Sequence, residues 1–349
     1  MILIRPRSRR PRAAVRLAVA ALAAINYAAV ANAALPTATP EDLGFDGSRF
    51  HAIAPIVEAA IAEQKLPGCV VAIGRTGGVA WLHAYGQRRL RPEPGAMAGR
   101  TVVGLPAATK AAAPGLSVMK LVQQGRVRLR DPVAEHVPEF AAGGKEQITV
   151  EQLLIHHSGL IPDNPLGDYE HGVDEAWRRI FALVPQKPPG TAFVYSDVNF
   201  EVLGELVRRV SGQSIDEFAR QHVYEPLGMR ETGFLPPPEL RARAAPAERR
   251  EDRWMQGEVH DPRAHLLGGV AGHAGLFSTA ADLAIMCDAM LRACRDPSAP
   301  PRPLSHATAL EMIRPRSVSG PKRALAWDSA SGYSTNRGEL FSPRAFGHG

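Results

Sequence analysis

TVVGLPAATKAAAPGLSVMKLVQQG, residues 101–125, runs from an apolar strand end into a helix that carries a lysine one turn inside it. Lys110 stands three residues after Ala107, and residues three apart are neighbours on one helix face. An S-x-x-K site depends on that spacing: the ammonium lowers the pKa of the serine hydroxyl, or the neutral amine takes its proton. Position 107 is alanine, and a methyl group cannot attack a carbonyl. The helix is expected to continue through residues 116–124 and to stop at Gly125, the residue type that best tolerates the left-handed turn after a helix. Pro106 suits a first-turn position. Pro114-Gly115 does not suit a helix interior, where proline costs roughly 3 kcal/mol, so the helix is expected to bend there or to start late.

Upstream, Phe50, Ile53, Val57 and Ile61 form one stripe of an amphipathic helix. Asp46 or Ser48 can cap it, and Pro67-Gly68 ends it. Two apolar runs, 69–75 and 79–85, flank Thr76-Gly77-Gly78 and predict a hairpin. Both faces of each run are apolar, so the hairpin is expected to be covered on both sides. Downstream, Thr149 with Gln152 and Ser214 with Glu217 have capping-box spacing, and Thr279 with Asp282 repeats it. Phe200, Leu203, Val207 and Val210 make a further helical stripe closed by Gly212. A helix, then a hairpin, then a long helical middle predicts an α+β fold rather than alternating βαβ units.

Two more segments bear on chemistry. PGTAFVYSD, residues 189–197, places Tyr195 in a loop just before a helix. A phenol beside a lysine can be held partly ionised and serve as a general base. Asp197 reads equally as a site residue and as the N-cap of that helix. The last residues, Phe346-Gly347-His348-Gly349, resemble the start of a strand motif, and His348, next to the end, is expected to fray. His156, His157, His260, His265 and His273 show neither the i, i+4 pairing of a zinc helix nor a carboxylate at ligand spacing. They are expected to pack in loops, with no metal and no cofactor. Neither Ser117 nor Ser158 has the motif spacing to Lys110.

Together these motifs form an ordered set: A-A-T-K at 107–110, L-L-I-H-H-S-G-L at 153–160, P-G-T-A-F-V-Y-S-D at 189–197 and E-P-L-G-M at 225–229. V-H-D at 259–261, L-G-G-V-A-G-H-A-G-L-F-S-T at 267–279 and F-G-H-G at 346–349 complete it. The set resembles the serine β-lactamase and penicillin-binding-protein superfamily, in its class C, D-alanyl-D-alanine peptidase and esterase branch, from about Leu43 to the C-terminus. The resemblance implies a β-lactamase/transpeptidase-like fold, an antiparallel sheet flanked by helices plus a mostly helical subdomain. It also implies acyl transfer from a β-lactam, a D-Ala-D-Ala peptide or an ester. Ala107 falls at the nucleophile's position, with the serine lost. Lys110 matches the motif lysine and Tyr195 the tyrosine of Y-x-N, with Asp197 where asparagine is commoner. His348 matches the first residue of the K/H-x-G motif on the strand that edges the site and completes the oxyanion hole. The family continues beyond that motif, so its C-terminal strands and closing helix are expected to be missing here.

The chain has 349 residues, 45% hydrophobic and 22% charged, with 32 glycines and 30 prolines. That composition excludes collagen, coiled coil, disulfide scaffold and wholesale disorder. The net charge of +6 is accounted for by six arginines within residues 1–33, which hold no acid. The remainder is neutral and gives no support for nucleic-acid binding. The same 33 residues have a basic stretch, an apolar run from Leu17 to Val30 and Ala31-Asn32-Ala33, the pattern of a cleaved signal peptide. The run is shorter than the roughly 20 residues of a membrane span. An exported, periplasmic or secreted protein without a stable membrane span is therefore expected. Residues 34–349 are expected to be one domain, with sheet parts near 34–105 and 321–349 and a helical part near 106–320. Three cysteines, Cys69, Cys287 and Cys294, leave at least one thiol free.

Three readings of function follow. The first is a serine hydrolase of the β-lactamase/peptidase type, impaired by Ala107. The second is a non-catalytic binder of cell-wall peptides. The third is a gene fragment without function.

Overall fold

The computed structural model describes residues 35–349. Asp46 starts the first helical segment by accepting the Ser48 N–H at 3.1 Å, and the chain runs through Gly47–Ala52 into helix Ile53–Ala62. Strands β1 (Gly68–Arg75) and β2 (Gly78–Arg89) form the expected hairpin, with Cys69 opposite Tyr85 and a bulge at Ile73/Gly74. Strand β3 (Gly95–Ala96) pairs with the far edge of β2. Helix Ala280–Arg295 packs on both long strands and helix Ile53–Ala62 on β2. Cover is thinner than the apolar runs predict. Most residues of the hairpin are only half-buried, and Ile56 is 70% exposed.

The other strands make three small antiparallel sheets. Strand β4 (Val103–Leu105) and β5 (Gly233–Phe234) flank β8 (Leu276–Ser278), and β6 (Pro246–Arg250) pairs with β7 (Arg253–Gln256). Strand β10 (Lys322–Arg323) lies between β9 (Arg316–Ser317) and β11 (Asp328–Ala330). The architecture is α+β. Among the described residues, no helix is long and apolar enough to cross a membrane, and the leader read in residues 1–33 lies outside them.

The main core surrounds helix Asp197–Ser211, whose Val198, Phe200, Val202, Leu203, Leu206 and Val207 are all buried. The helix buries more than the single stripe read from sequence because neighbours pack around most of its circumference. Ahead of it, the chain meets Pro114 by widening. Residues Ala111–Gly115 form one π-type turn in which the Leu116 N–H reaches the Ala111 carbonyl, before helix Leu116–Gln123 resumes regular geometry. A proline has no N–H to offer to the ladder, and a widened turn is one way to absorb it. Gly115 is required there, because a Cβ would lie 2.6 Å from the Ala326 Cβ and 2.9 Å from the Lys110 carbonyl oxygen.

Candidate active site

Ala107 sits at the entry to the helical segment that follows β4, its carbonyl accepting the Lys110 N–H at 3.1 Å. Thr109 anchors this entry. Its hydroxyl donates to the Leu105 carbonyl and accepts the Leu276 N–H, tying the turn to β4 and β8. Lys110 is thereby buried, at 1% exposure. Its ammonium lies 2.8 Å from Asp197 Oδ1 and donates to the His273 carbonyl at 3.3 Å. The Tyr195 ring stands 5.2 Å away, beneath the charge, where its π face attracts a cation.

Asp197 is the first residue of its helix and pairs with Lys110; the cap is Ser196, whose hydroxyl accepts the Asn199 N–H and donates to the Ile161 carbonyl. That separates the two readings of Asp197. The sequence expectation for Tyr195 requires correction. The lysine lies over the ring face with its charge on Asp197, and burial, then the Asp197 carboxylate, push the phenol's pKa above its usual value.

His156 was expected to be loop packing, and what it packs is the tyrosine itself. Its ring stacks on Tyr195 at 4.3 Å. Its carbonyl accepts the Val194 N–H at 3.0 Å and its Nδ1 accepts the Ser196 N–H at 3.0 Å. The residue on each side of Tyr195 is therefore fastened to one residue. To do this His156 adopts φ +58. Burial, then the charges of Arg323 and Lys110, hold its pKa well below the usual imidazole value, consistent with an Nδ1 that accepts.

On the opposite side, Arg323 on β10 is buried, 3.4 Å from Asp328 Oδ2, with its guanidinium over the Phe193 and Tyr195 rings. Asp328 exchanges both backbone hydrogen bonds with Gly347, at 2.8 and 3.0 Å. That pairing overturns the expected fraying of His348. The ring of His348 stands 6.4 Å from Tyr195, and burial, then Lys110 and Arg323, lower its pKa to about 4. Tyr333 closes the cluster, its ring 4.7 Å from that of Tyr195. The structure thus brings Ala107, Lys110, Tyr195, Asp197 and His348 to one place.

Sequence reasoning missed what lies behind Lys110. His273 was assigned to loop packing, yet its Nε2 lies 2.9 Å from Asp261 Oδ1. Its Nδ1 lies 3.2 Å from Glu201 Oε1, within ion-pair reach though off hydrogen-bond alignment. The one available signal was Glu201 itself, a carboxylate inside an otherwise apolar stretch of helix. Ser158 is structural: its hydroxyl donates to Asn199 Oδ1 at 2.6 Å and accepts the Leu160 N–H. Among the described residues, no group of three or more His, Cys, Asp or Glu could hold a metal ion.

Comparison with known proteins places the chain in a family. A "Putative D-alanyl-D-alanine carboxypeptidase" of Escherichia coli K12 is 26% identical over 353 residues, covering 90% of this chain and 80% of the relative. An N-acetylmuramyl-L-alanine amidase of Bacillus subtilis is 27% identical over 347 residues, covering 88% and 77%. Among solved structures, a penicillin-binding-protein homologue from Caulobacter crescentus superposes with a TM-score of 0.67 at 22% identity, covering 86% of this chain and 85% of that one. The family model described as Beta-lactamase matches residues 53–349, a span that holds every side chain of the cluster around Tyr195. On that match, carried across the whole of the site just described, the chain belongs to the beta-lactamase family of serine hydrolases.

Proposed function

We propose that this chain is an exported, cell-wall-directed member of the family that recognises D-alanyl peptides or β-lactams without forming an acyl-enzyme. One observation carries the reading. Lys110, one helical turn from position 107, stands assembled with Asp197 and Tyr195, and position 107 offers a methyl group. Acyl transfer in such sites begins with an attacking oxygen, and the neighbouring lysine and tyrosine have no hydroxyl proton to move. The names of the two curated relatives, a carboxypeptidase of D-alanyl-D-alanine and an amidase of muramyl-alanine, point to cell-wall peptides as the ligand class. The leader read in residues 1–33 supports delivery to the compartment where those peptides lie. Removing the nucleophile of a serine hydrolase leaves at most about 10³–10⁴ over water, from binding and oxyanion stabilisation.

The test combines intact-mass spectrometry with calorimetry, using a serine-bearing class C β-lactamase as positive control. Incubation with a penicillin is expected to add no mass to this chain, while titration with a D-Ala-D-Ala-terminated peptide gives a saturable heat. A covalent adduct on any residue overturns the non-acylating reading. Absence of binding overturns the recognition reading.

A further inference from the structure

Helix Asp197–Ser211 presents two carboxylates one turn apart on the same face, Asp197 and Glu201. Each meets a basic group. Asp197 takes the Lys110 ammonium, and Glu201 faces His273. The two basic groups are themselves joined, because the main-chain carbonyl of His273 accepts from Lys110. This closeness rests on Gly272. A Cβ there would fall 1.8 Å from the Phe200 carbonyl oxygen, so only glycine lets the chain lie against the turn between Asp197 and Glu201.

The His273 ring is completely enclosed, with Asp261 hydrogen-bonded at Nε2 and Glu201 within ion-pair reach of Nδ1, though off hydrogen-bond alignment. A neutral imidazole has one N–H and one lone pair, so with both acids ionised one nitrogen would turn its lone pair on a carboxylate, whereas the imidazolium presents N–H toward both. Its surroundings are fixed from every side. Asp261 Oδ1 also accepts the Ala264 N–H at 2.8 Å as the cap of helix Pro262–Leu266. Both oxygens of Glu201 lie 2.9 Å from the Tyr169 hydroxyl, which is 2.6 Å from Asn164 Oδ1. Asp197, Asp163 and Arg263 are the remaining charged groups nearby.

We propose that His273 is a positioning residue: an imidazolium clamped between Asp261 and Glu201 that fixes its own carbonyl on Lys110 and so holds the ammonium against Asp197. Burial opposes the charge on both partners: it holds Glu201 above the usual carboxylate range, against the pull of His273 and of the Tyr169 hydroxyl, while Glu201 and Asp261 together raise the His273 pKa above its usual value. Asp261 is correspondingly held at about 2, against burial, by His273. The inference rests on the geometry around His273 and Lys110 and stands whether or not the site acylates a substrate.

The experiment is nuclear magnetic resonance on the intact chain labelled in histidine and in its six lysines. The His273 and Lys110 signals are assigned by their loss in His273→Asn and Lys110→Arg. Both ring nitrogens of His273 are expected to carry the imidazolium signature at pH 7.5, where His156 shows a neutral ring. Glu201→Gln is expected to lower the His273 midpoint by at least one pH unit. It is also expected to move the Lys110 side-chain methylene signal. Glu205→Gln, one turn further along and paired with Arg208 and Arg209, is expected to leave both unchanged. A neutral His273 in the unmodified protein at pH 7.5 overturns the proposal, even where Glu201→Gln fails to fold. So does a Lys110 signal that ignores Glu201→Gln; should that variant not fold, Asp261→Asn is read by the same criterion.

Discussion

Lys110 is the buried member of its ion pair, with 2% of its side chain exposed against 23% for Asp197. The asymmetry makes the two truncations unequal. Asp197→Ala strands a buried ammonium with only one carbonyl and a ring face, and breaking such a pair costs about 3–5 kcal/mol where both members are enclosed. Lys110→Met leaves a carboxylate that water still reaches, and fills the pocket with a chain of similar volume. Chemical denaturation is expected to show Asp197→Ala losing about 3 kcal/mol, with Lys110→Met losing less than half of that. Equal losses would show that the pair is solvated. At this scale the sequence was informative where spacing is local: Lys110 is singled out by its distance to position 107 and Tyr195 by the loop before a helix, while Asp197 stayed open between site residue and cap. The roles of His156 and His273 were not legible, because a histidine's partner across the fold leaves no mark in the residues around it.

Helix ends were readable for the same reason. The capping boxes at Thr149/Gln152 and Ser214/Glu217 form as their spacing predicts, since all their atoms lie within one turn. The π-type turn at Ala111–Gly115 could be expected only as a bend, because Pro114 predicts a break in the hydrogen-bond ladder but not the form it takes. Gly272 is the sharper case. Its φ lies outside the left-handed range, so nothing local demands glycine; the demand comes from the Phe200 carbonyl in another element. Gly272→Ala must push the 272–274 segment away from helix Asp197–Ser211. Overpacking of this kind costs typically 1–3 kcal/mol and occasionally more, and a 1.8 Å approach to backbone belongs at the upper end. Gly233 in β5 has open space around its would-be Cβ. Denaturant titrations are expected to show Gly272→Ala losing about 3 kcal/mol or failing to fold, and Gly233→Ala staying within about 0.5 kcal/mol. A mild Gly272→Ala would mean that the two segments can part freely.

Across the whole molecule, packing quality is uneven. The helical middle is fully enclosed around Leu116, Met119, Leu153, Phe200 and Leu203. The β1–β2 hairpin is only half-buried and leaves a cavity of about 290 Å³ against helix Ala280–Arg295, lined by Leu35, Val70, Ala72, Leu283 and Leu291. The hairpin was legible as a unit because its strands are neighbours in sequence. The pairing of β4 with β8 was not, because nothing in Val103–Leu105 names a partner at Leu276–Ser278. Polar contacts tie the hairpin's turn to helix Ala280–Arg295. Asp288 accepts the Gly77 N–H at 2.7 Å and Arg292 Nε at 2.6 Å, and Arg295 donates to the Thr76 hydroxyl at 3.3 Å. Regions with few enclosed apolar contacts open at lower free energy than the core and exchange their amide hydrogens sooner. Hydrogen-exchange mass spectrometry is therefore expected to show peptides from 68–89 exchanging well before those from 150–160 and 197–211. Asp288→Ala removes the acceptor at the turn without touching the Lys110 site. It is expected to speed exchange in 68–89 further, by about the tenfold that follows from losing one hydrogen bond of about 1–1.5 kcal/mol, while the 197–211 helix keeps its protection. If both regions instead exchange at one common rate, and Asp288→Ala accelerates them together, the hairpin and the helical middle unfold as a single unit and the uneven packing has no dynamic consequence.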